Sequence, residues 1–221
     1  GYFLMDFDSG QILTEKNADD RLAPASLTKI MSTYVVFQEL QAGQLALDEP
    51  VIISKKAWKT PGSKMFIEVN KHVSVEDLLK GIIIQSGNDA SVALAEHIAG
   101  DEETFARLMN QHAKRLGMIN SNFHNSTGLP AKNHYTTAHD LAILSQALIR
   151  EFPDYYQWFK EKDFTFNNIK QSNRNKLLWR DDSVDGIKTG YTEKAGYCLV
   201  ASAKRNNMRL ISVGMGTRNQ N

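Results

Sequence analysis

Strand-like sequence sits at both ends of this chain and is scarce in the middle, and this arrangement most constrains the fold. Tyr2-Phe3-Leu4-Met5-Asp6-Phe7 reads as one strand, Asp8-Ser9-Gly10 as a turn, and Gln11 to Thr14 as the return. Near the other end, Gly196 to Ala203 and Met208 to Met215 flank Lys204-Arg205-Asn206-Asn207, a second hairpin signal. Unpaired strand edges need partners, so the simplest solution is one antiparallel sheet assembled from both termini.

The sequence between them is helical in period. Pro24-Ala25-Ser26 leads into an apolar helix from about Leu27 to Gln41, closed by Gly43. Ser74 caps a run that places Val75, Leu78, Leu79 and Ile82 on one face and ends at Ser86-Gly87. Asp89 to Ile98 follows, closed by Gly100. Asp101 then starts a helix bearing Phe105, Leu108, Met109 and Leu116, closed by Gly117. Thr137-Ala138-His139-Asp140 reads as a capping box before Leu141 to Ile149, and strands return beyond Phe164. No repeat or low-complexity linker divides the chain. The expectation is an α+β fold in one domain, 1–221. Its antiparallel sheet comes from both chain ends and is flanked by helices, with an all-helical subdomain inserted at approximately 55–160.

Composition removes several function classes. Lys+Arg 26 against Asp+Glu 25 leaves a net charge of +1 with no basic tract, which argues against a nucleic-acid partner. The longest apolar runs, such as Ile82-Ile83-Ile84, fall far short of the roughly 20 residues that span a bilayer. A single cysteine, Cys198, rules out an intrachain disulfide and any site built on several cysteines. With no initiator Met and no targeting segment, the sequence reads as a mature or trimmed piece.

Three short motifs carry chemistry. In Ser26-Leu27-Thr28-Lys29 the serine and lysine lie one helical turn apart, so the amine, if neutral, can take the hydroxyl proton. Lys29 must then titrate far below the free value of about 10.4, through burial or a second cation. Alone the motif is weak: ~1 chance match is expected in such a chain, and an N-cap serine with a solvated lysine is the ordinary reading. Ser86-Gly87-Asn88 is ordinarily a helix stop followed by an Asn N-cap. Asp185-Gly186-Ile187-Lys188-Thr189-Gly190 is ordinarily a strand end with Lys188 solvated.

In this order, S-x-x-K, S-x-N and K-T-G form the set found in penicillin-binding proteins and class A β-lactamases. The chain resembles the serine D-alanyl-D-alanine carboxypeptidases, the low-molecular-mass penicillin-binding proteins of the penicillin-binding protein 5/6 type. Further segments carry the likeness: Pro24 to Lys29, Gln85 to Ala90, Asn173-Arg174-Asn175, Asp185 to Gly190, and Ala195-Gly196-Tyr197 with Leu199 to Ala203.

The resemblance implies a β-lactamase/transpeptidase-like fold and a hydrolase that needs no cofactor or metal. Ser26 would attack the penultimate D-alanine carbonyl of a peptidoglycan stem peptide ending in D-Ala-D-Ala, and β-lactam antibiotics would acylate the same serine. It implies Lys29 as general base, Ser86 as a proton relay to the leaving nitrogen, and Asn88 as support for the substrate amide and for Lys29. Lys188 would help Lys29 titrate low. Thr189 and Gly190, with the field of Lys188, would receive the terminal carboxylate, and the backbone N–H groups of Ser26 and Tyr191 would form the oxyanion hole. Arg174 would give carboxylate or structural support. Location at the periplasmic face of the bacterial inner membrane is implied in the same way. So is a C-terminal β-domain with a membrane anchor, absent from this chain.

Three features depart from the expected pattern: Tyr191 after K-T-G, where His or Thr is frequent, a short loop at 59–63, and Cys198 at a packed strand position. A class A β-lactamase is the nearest rival, but neither Glu151 nor Glu161 sits in its E-x-x-L-N setting, and S-G-N replaces S-D-N. A zinc peptidase would need clustered ligands, whereas His72, His97, His112, His124, His134 and His139 show no H-E-x-x-H. No G-x-S-x-G suits a Ser-His-Asp hydrolase. A catalytically silent peptidoglycan- or β-lactam-binding module would have no need of Ser26, Lys29, Ser86, Asn88 and Lys188 together.

Overall fold

The computed structural model describes residues 1–218. The N-terminal hairpin forms as β1 (Tyr2–Asp6) and β2 (Ile12–Lys16). A 3₁₀ turn at Ala25–Leu27 runs into α1 (Thr28–Gln41), followed by β3 (Pro50–Ile52), α2 (Lys55–Lys59), β4 (His72–Ser74) and α3 (Val75–Lys80). A π-helical turn at Gly81–Gln85 precedes α4 (Asn88–Ala99), α5 (Glu102–Leu116), α6 (Ala138–Glu151) and the short α7 (Pro153–Tyr156). The chain ends in strands: β5 (Asp163–Phe166), β6 (Ile169–Ser172), β7 (Val184–Thr192), β8 (Gly196–Arg205) and β9 (Met208–Thr217).

The central sheet has the order β2-β1-β9-β8-β7, so the two ends of the chain do meet, at the antiparallel β1/β9 pair. Asn206 and Asn207, at φ 47° and 62°, alone form the β8/β9 turn, because asparagine tolerates the positive φ of a tight hairpin. The inserted stretch is not all-helical as expected. β4 lies within it and pairs with β3, sealing the entry to α3 with Ser74 as its N-cap.

The core lies between the sheet and the helices, and α1 runs through it with every residue from Thr28 to Phe37 buried. A helix buried all round cannot show a one-sided apolar stripe. The capping box at Thr137 is only half formed. The Thr137 hydroxyl accepts from the Asp140 N–H at 3.0 Å, but the Asp140 carboxylate turns away to Asn120 N (2.9 Å) and Ser121 Oγ (2.7 Å). A buried carboxylate here ties the 118–122 turn to α6.

Two glycines bring the site together. At Gly190 a Cβ would stand 3.0 Å from Ser26 N, so β7, an edge strand, can lie against the turn that carries Ser26. At Gly128, with φ +86°, a Cβ would lie 1.7 Å from the Ala25 carbonyl oxygen. Only glycine lets the 125–129 loop close on that turn.

Candidate active site

The ordinary readings of the three motifs fail on burial. Lys29 is 1% exposed and Lys188 3%, so neither is a solvated surface lysine. Ser26 lies in the 3₁₀ turn and caps no helix; the N-cap of α1 is Leu27. Asn88 is the first residue of α4, behind Gly87 as N-cap, and its side chain points away from the helix start.

Lys29 Nζ is surrounded by oxygen: Asn88 Oδ1 at 2.6 Å, the Thr127 carbonyl at 2.7 Å and Ser26 Oγ at 3.1 Å. Burial, then the charge of Lys188, push its pKa well below the ordinary lysine range, while Asp89 pulls it part of the way back. Of the two causes that the sequence offered, burial is thus the larger, ahead of the second cation. A neutral amine has two N–H donors and one lone pair. Its two nearest neighbours can only accept, so they take both protons and leave the lone pair to the Ser26 hydroxyl.

Asn88 is fixed at its other end, where Nδ2 donates to the Pro61 carbonyl at 2.7 Å, and its backbone N–H donates to Ser63 O at 2.7 Å. The 59–63 loop is therefore a wall of the site. Beside it, the Asp89 carboxylate accepts from the N–H groups of Met65 (3.0 Å), Phe66 (3.1 Å) and Ala90 (2.9 Å), clamping the following loop to α4.

Ser86 adopts the left-handed conformation at φ 66° and is 4% exposed. Its Oγ has no hydrogen-bond partner among the described residues. A buried hydroxyl held without a partner in a strained backbone is costly for stability, and such costs concentrate at functional positions. Lys188 Nζ donates to the Thr189 carbonyl at 3.0 Å. Its pKa is lowered to about 7, by burial first and Arg174 second.

Arg174 itself is exposed; its backbone N–H donates to Ile84 O at 3.2 Å. The flanking asparagines are the anchors. Asn175 Nδ2 donates to the Gly186 carbonyl at the start of β7, and Asn173 Nδ2 donates to Glu161 O. Along β7, Gly190 faces Ser26, while Tyr191 is exposed and its ring packs on Tyr197 of β8 with centroids 4.5 Å apart. Cys198 is buried, and burial raises its thiol pKa, so it packs rather than reacts. Glu151 is taken up at the far end of α1 by Tyr34 (2.6 Å) and Gln38 (2.8 Å).

The residue that sequence reasoning missed is Thr127, which acts through its carbonyl. Its loop is braced from three sides. Glu102 accepts from Ser126 N and Oγ, and Ser32 and Ser91 donate to Ser126 O. His134 completes the brace. Its Nδ1 accepts from His124 N at 3.0 Å, so Nε2–H donates to Thr28 Oγ1 at 2.8 Å. Among the described residues, no group of three or more His, Cys, Asp or Glu side chains gathers as a metal site, and no helix is long and apolar enough to cross a membrane.

Known proteins resemble this chain along nearly its whole length. The D-alanyl-D-alanine carboxypeptidase family model, peptidase S11, matches residues 1–219. D-alanyl-D-alanine carboxypeptidase DacC of Escherichia coli is 51% identical over 98% of this chain and 56% of its own length. The solved penicillin-binding protein 5 of Haemophilus influenzae aligns at a TM-score of 0.96 and 50% identity, covering 99% of this chain and 65% of that one. Penicillin-binding protein D2 of Listeria monocytogenes, solved in its ampicillin-bound form, aligns at 0.90 and 30% identity, covering 99% and 89%. The chain spans about half the length of the curated relatives it matches, 56% for each of the first two. With a family model covering almost every residue, and with relatives of this identity along the whole of it, the chain belongs to the D-alanyl-D-alanine carboxypeptidase family of serine peptidases.

Proposed function

We propose that this chain is the catalytic unit of a serine D,D-carboxypeptidase that removes the terminal D-alanine from peptidoglycan stem peptides and is acylated by β-lactams. One observation carries the reading: a buried lysine, its two donors fully taken, with its lone pair left to a serine hydroxyl 3.1 Å away.

Ser26 Oγ attacks the carbonyl carbon of the penultimate D-alanine while Lys29 takes its proton. The oxyanion lies between the N–H groups of Ser26 and Tyr191, which the absence of a side chain at Gly190 allows to converge. Ser86 Oγ, with no competing partner among the described residues, relays the proton held by Lys29 to the departing amide nitrogen, so the C–N bond breaks, D-alanine leaves as a neutral amine and Lys29 is neutral again. Water then attacks the acyl-serine while Lys29 takes its proton, and as the bond from the acyl carbon to Ser26 Oγ breaks that proton passes to Oγ, which restores both Ser26 and neutral Lys29.

The substrate's terminal carboxylate is received by Thr189 and Lys188, with Arg174 supporting through charge. A carboxylate beside Lys188 favours its protonated form, against the burial that depresses it. Asn88 offers its remaining amide hydrogen to the acyl half of the substrate. We read the stretch of about 55–160 as an inserted subdomain, so that substrate lies at its seam with the sheet. Because peptidoglycan lies outside the cytoplasmic membrane, the reaction is placed at the periplasmic face.

The test is covalent labelling by a fluorescent penicillin, expected in the wild type and abolished in Ser26→Ala. Release of D-alanine from a stem-peptide mimic, measured beside transfer to an amine acceptor, separates hydrolysis from transpeptidation. Labelling that persists without Ser26, or rapid penicillin turnover, would overturn the assignment.

A further inference from the structure

Two carbonyls fix the catalytic side chains, Thr127 O on Lys29 and Pro61 O on Asn88, and both residues also form the wall of a neighbouring cleft. The cleft has a volume of about 380 Å³, within the range of small-ligand sites, and Val92, Leu129, Glu102 and Lys59 contribute to its lining. No residue of β7 lines it, so it is separate from the place given to the terminal carboxylate.

Its position relative to the substrate follows from the strand. With the leaving group's carboxylate at Lys188 and Thr189, the acyl half runs the other way, past Tyr191 toward Thr192. There Leu129 shares a small crevice with Thr192 and Lys194, and the same Leu129 lines the larger cleft. An acyl chain leaving the end of β7 therefore meets this cleft next.

The charges in the cleft are unequal in their commitments. Glu102 is occupied: one oxygen accepts from Ser126 N (3.2 Å) and Oγ (2.9 Å), and the other pairs with Lys56 at 3.2 Å. Lys59, the last residue of α2, forms no ion pair among the described residues. The cleft thus offers apolar walls from Val92, Pro61 and Leu129, and one uncommitted cation at its rim.

We propose that this cleft is an acyl-side subsite in which Lys59 selects a donor peptide with a carboxylate on the residue preceding the D-Ala-D-Ala pair. The proposal rests on the carboxypeptidase reading and narrows its substrate class. Lys59 is exposed, so its contribution is a modest preference that weakens with salt.

Two isosteric peptides test it, acetyl-L-Glu-D-Ala-D-Ala and acetyl-L-Gln-D-Ala-D-Ala. The wild type should favour the glutamate peptide in kcat/KM by about fivefold at low salt and less at high salt. The ratio should fall to about one in Lys59→Gln and below one in Lys59→Glu, and persist in Lys194→Gln. A second arm compares acylation rates for benzylpenicillin and its α-carboxy derivative in the same variants. A wild-type ratio of one, or a ratio that survives Lys59→Gln or collapses in Lys194→Gln, overturns the subsite. If neither peptide loses D-alanine while both penicillins acylate Ser26, the carboxypeptidase reading fails, and the acylation ratio still decides the subsite.

Discussion

Lys29 and Lys188 are equally buried and stand in the same site, yet their amines are treated in opposite ways. Lys29 Nζ has three oxygen neighbours, from α1's own entry turn, from α4 and from the 125–129 loop. Lys188 Nζ has one among the described residues, the carbonyl of its neighbour Thr189. The first geometry suits a neutral amine whose lone pair has a defined target. The second leaves donors aimed at whatever anion comes next to β7. On the proposed mechanism the two residues of the same type divide into base and anion receptor, a difference that comes from their neighbours.

Deleting each amine in turn separates the two roles. Lys29→Met should lower penicillin acylation by about 10³- to 10⁴-fold, whatever the inhibitor's charge. A loss below tenfold in stopped-flow labelling would remove Lys29 from the base role. Lys188→Gln should cost about 10²-fold in kcat/KM with a free C-terminal carboxylate, and far less with the C-terminal amide. Equal losses on both peptides would mean that Lys188 does not receive the carboxylate.

The pH profile sharpens the same contrast. Lys29 must be neutral and Lys188 charged, so activity should be bounded on the acid side by the first and on the alkaline side by the second. In the free enzyme Lys188 titrates at about 7. Beyond that, kcat/KM should fall by up to ~10-fold per pH unit, while kcat, reporting the complex, holds to higher pH. Identical limbs in the two profiles would contradict carboxylate binding at Lys188.

Stability should show the smallest effects. Lys188 has a folded pKa below its unfolded value near 10.5, so the unfolded chain binds more protons between about 7 and 10. Stability therefore rises with pH across that window, and Lys188→Met should flatten its share in thermal melts. His134, depressed to about 4 by burial, contributes likewise between about 4 and 6.5: present above, lost as pH falls. His134→Gln should flatten that lower window, and melts with unchanged slope would show the brace at Thr28 to be irrelevant to acid stability.

Much of this was legible in the sequence because side-chain identity carried it. Ser26 and Lys29 of the first motif and Asn88 of the second gather, Gly190 of the third lies against the turn that carries Ser26, and the terminal strands pair. What escaped was written in backbone. Thr127 contributes a carbonyl that any residue has, and Pro61 does the same for Asn88. The left-handed Ser86 and the π-helical turn before it are likewise backbone features, in a segment where Gly81 lies close against Met65, a contact no local pattern encodes. Asp140 satisfied the capping-box pattern but found better partners across space. The stretch of about 55–160 read as wholly helical because β4, the strand within it that pairs with β3, is three residues long, too short to show alternation.

The sheet order has a consequence for how activity arises during folding. Ser26 lies near the start of the chain, and the strand that faces it is joined to β1 only through β8 and β9. Pairings of such sequence separation close late and slowly, after local helices have formed. A one-residue slip of β7 would also turn Lys188 to the opposite face. In a refolding chain, reactivity toward penicillin should thus report both closure of the long-range β1/β9 pairing and the correct register of β7 on β8, a kinetic milestone that helix content alone would miss.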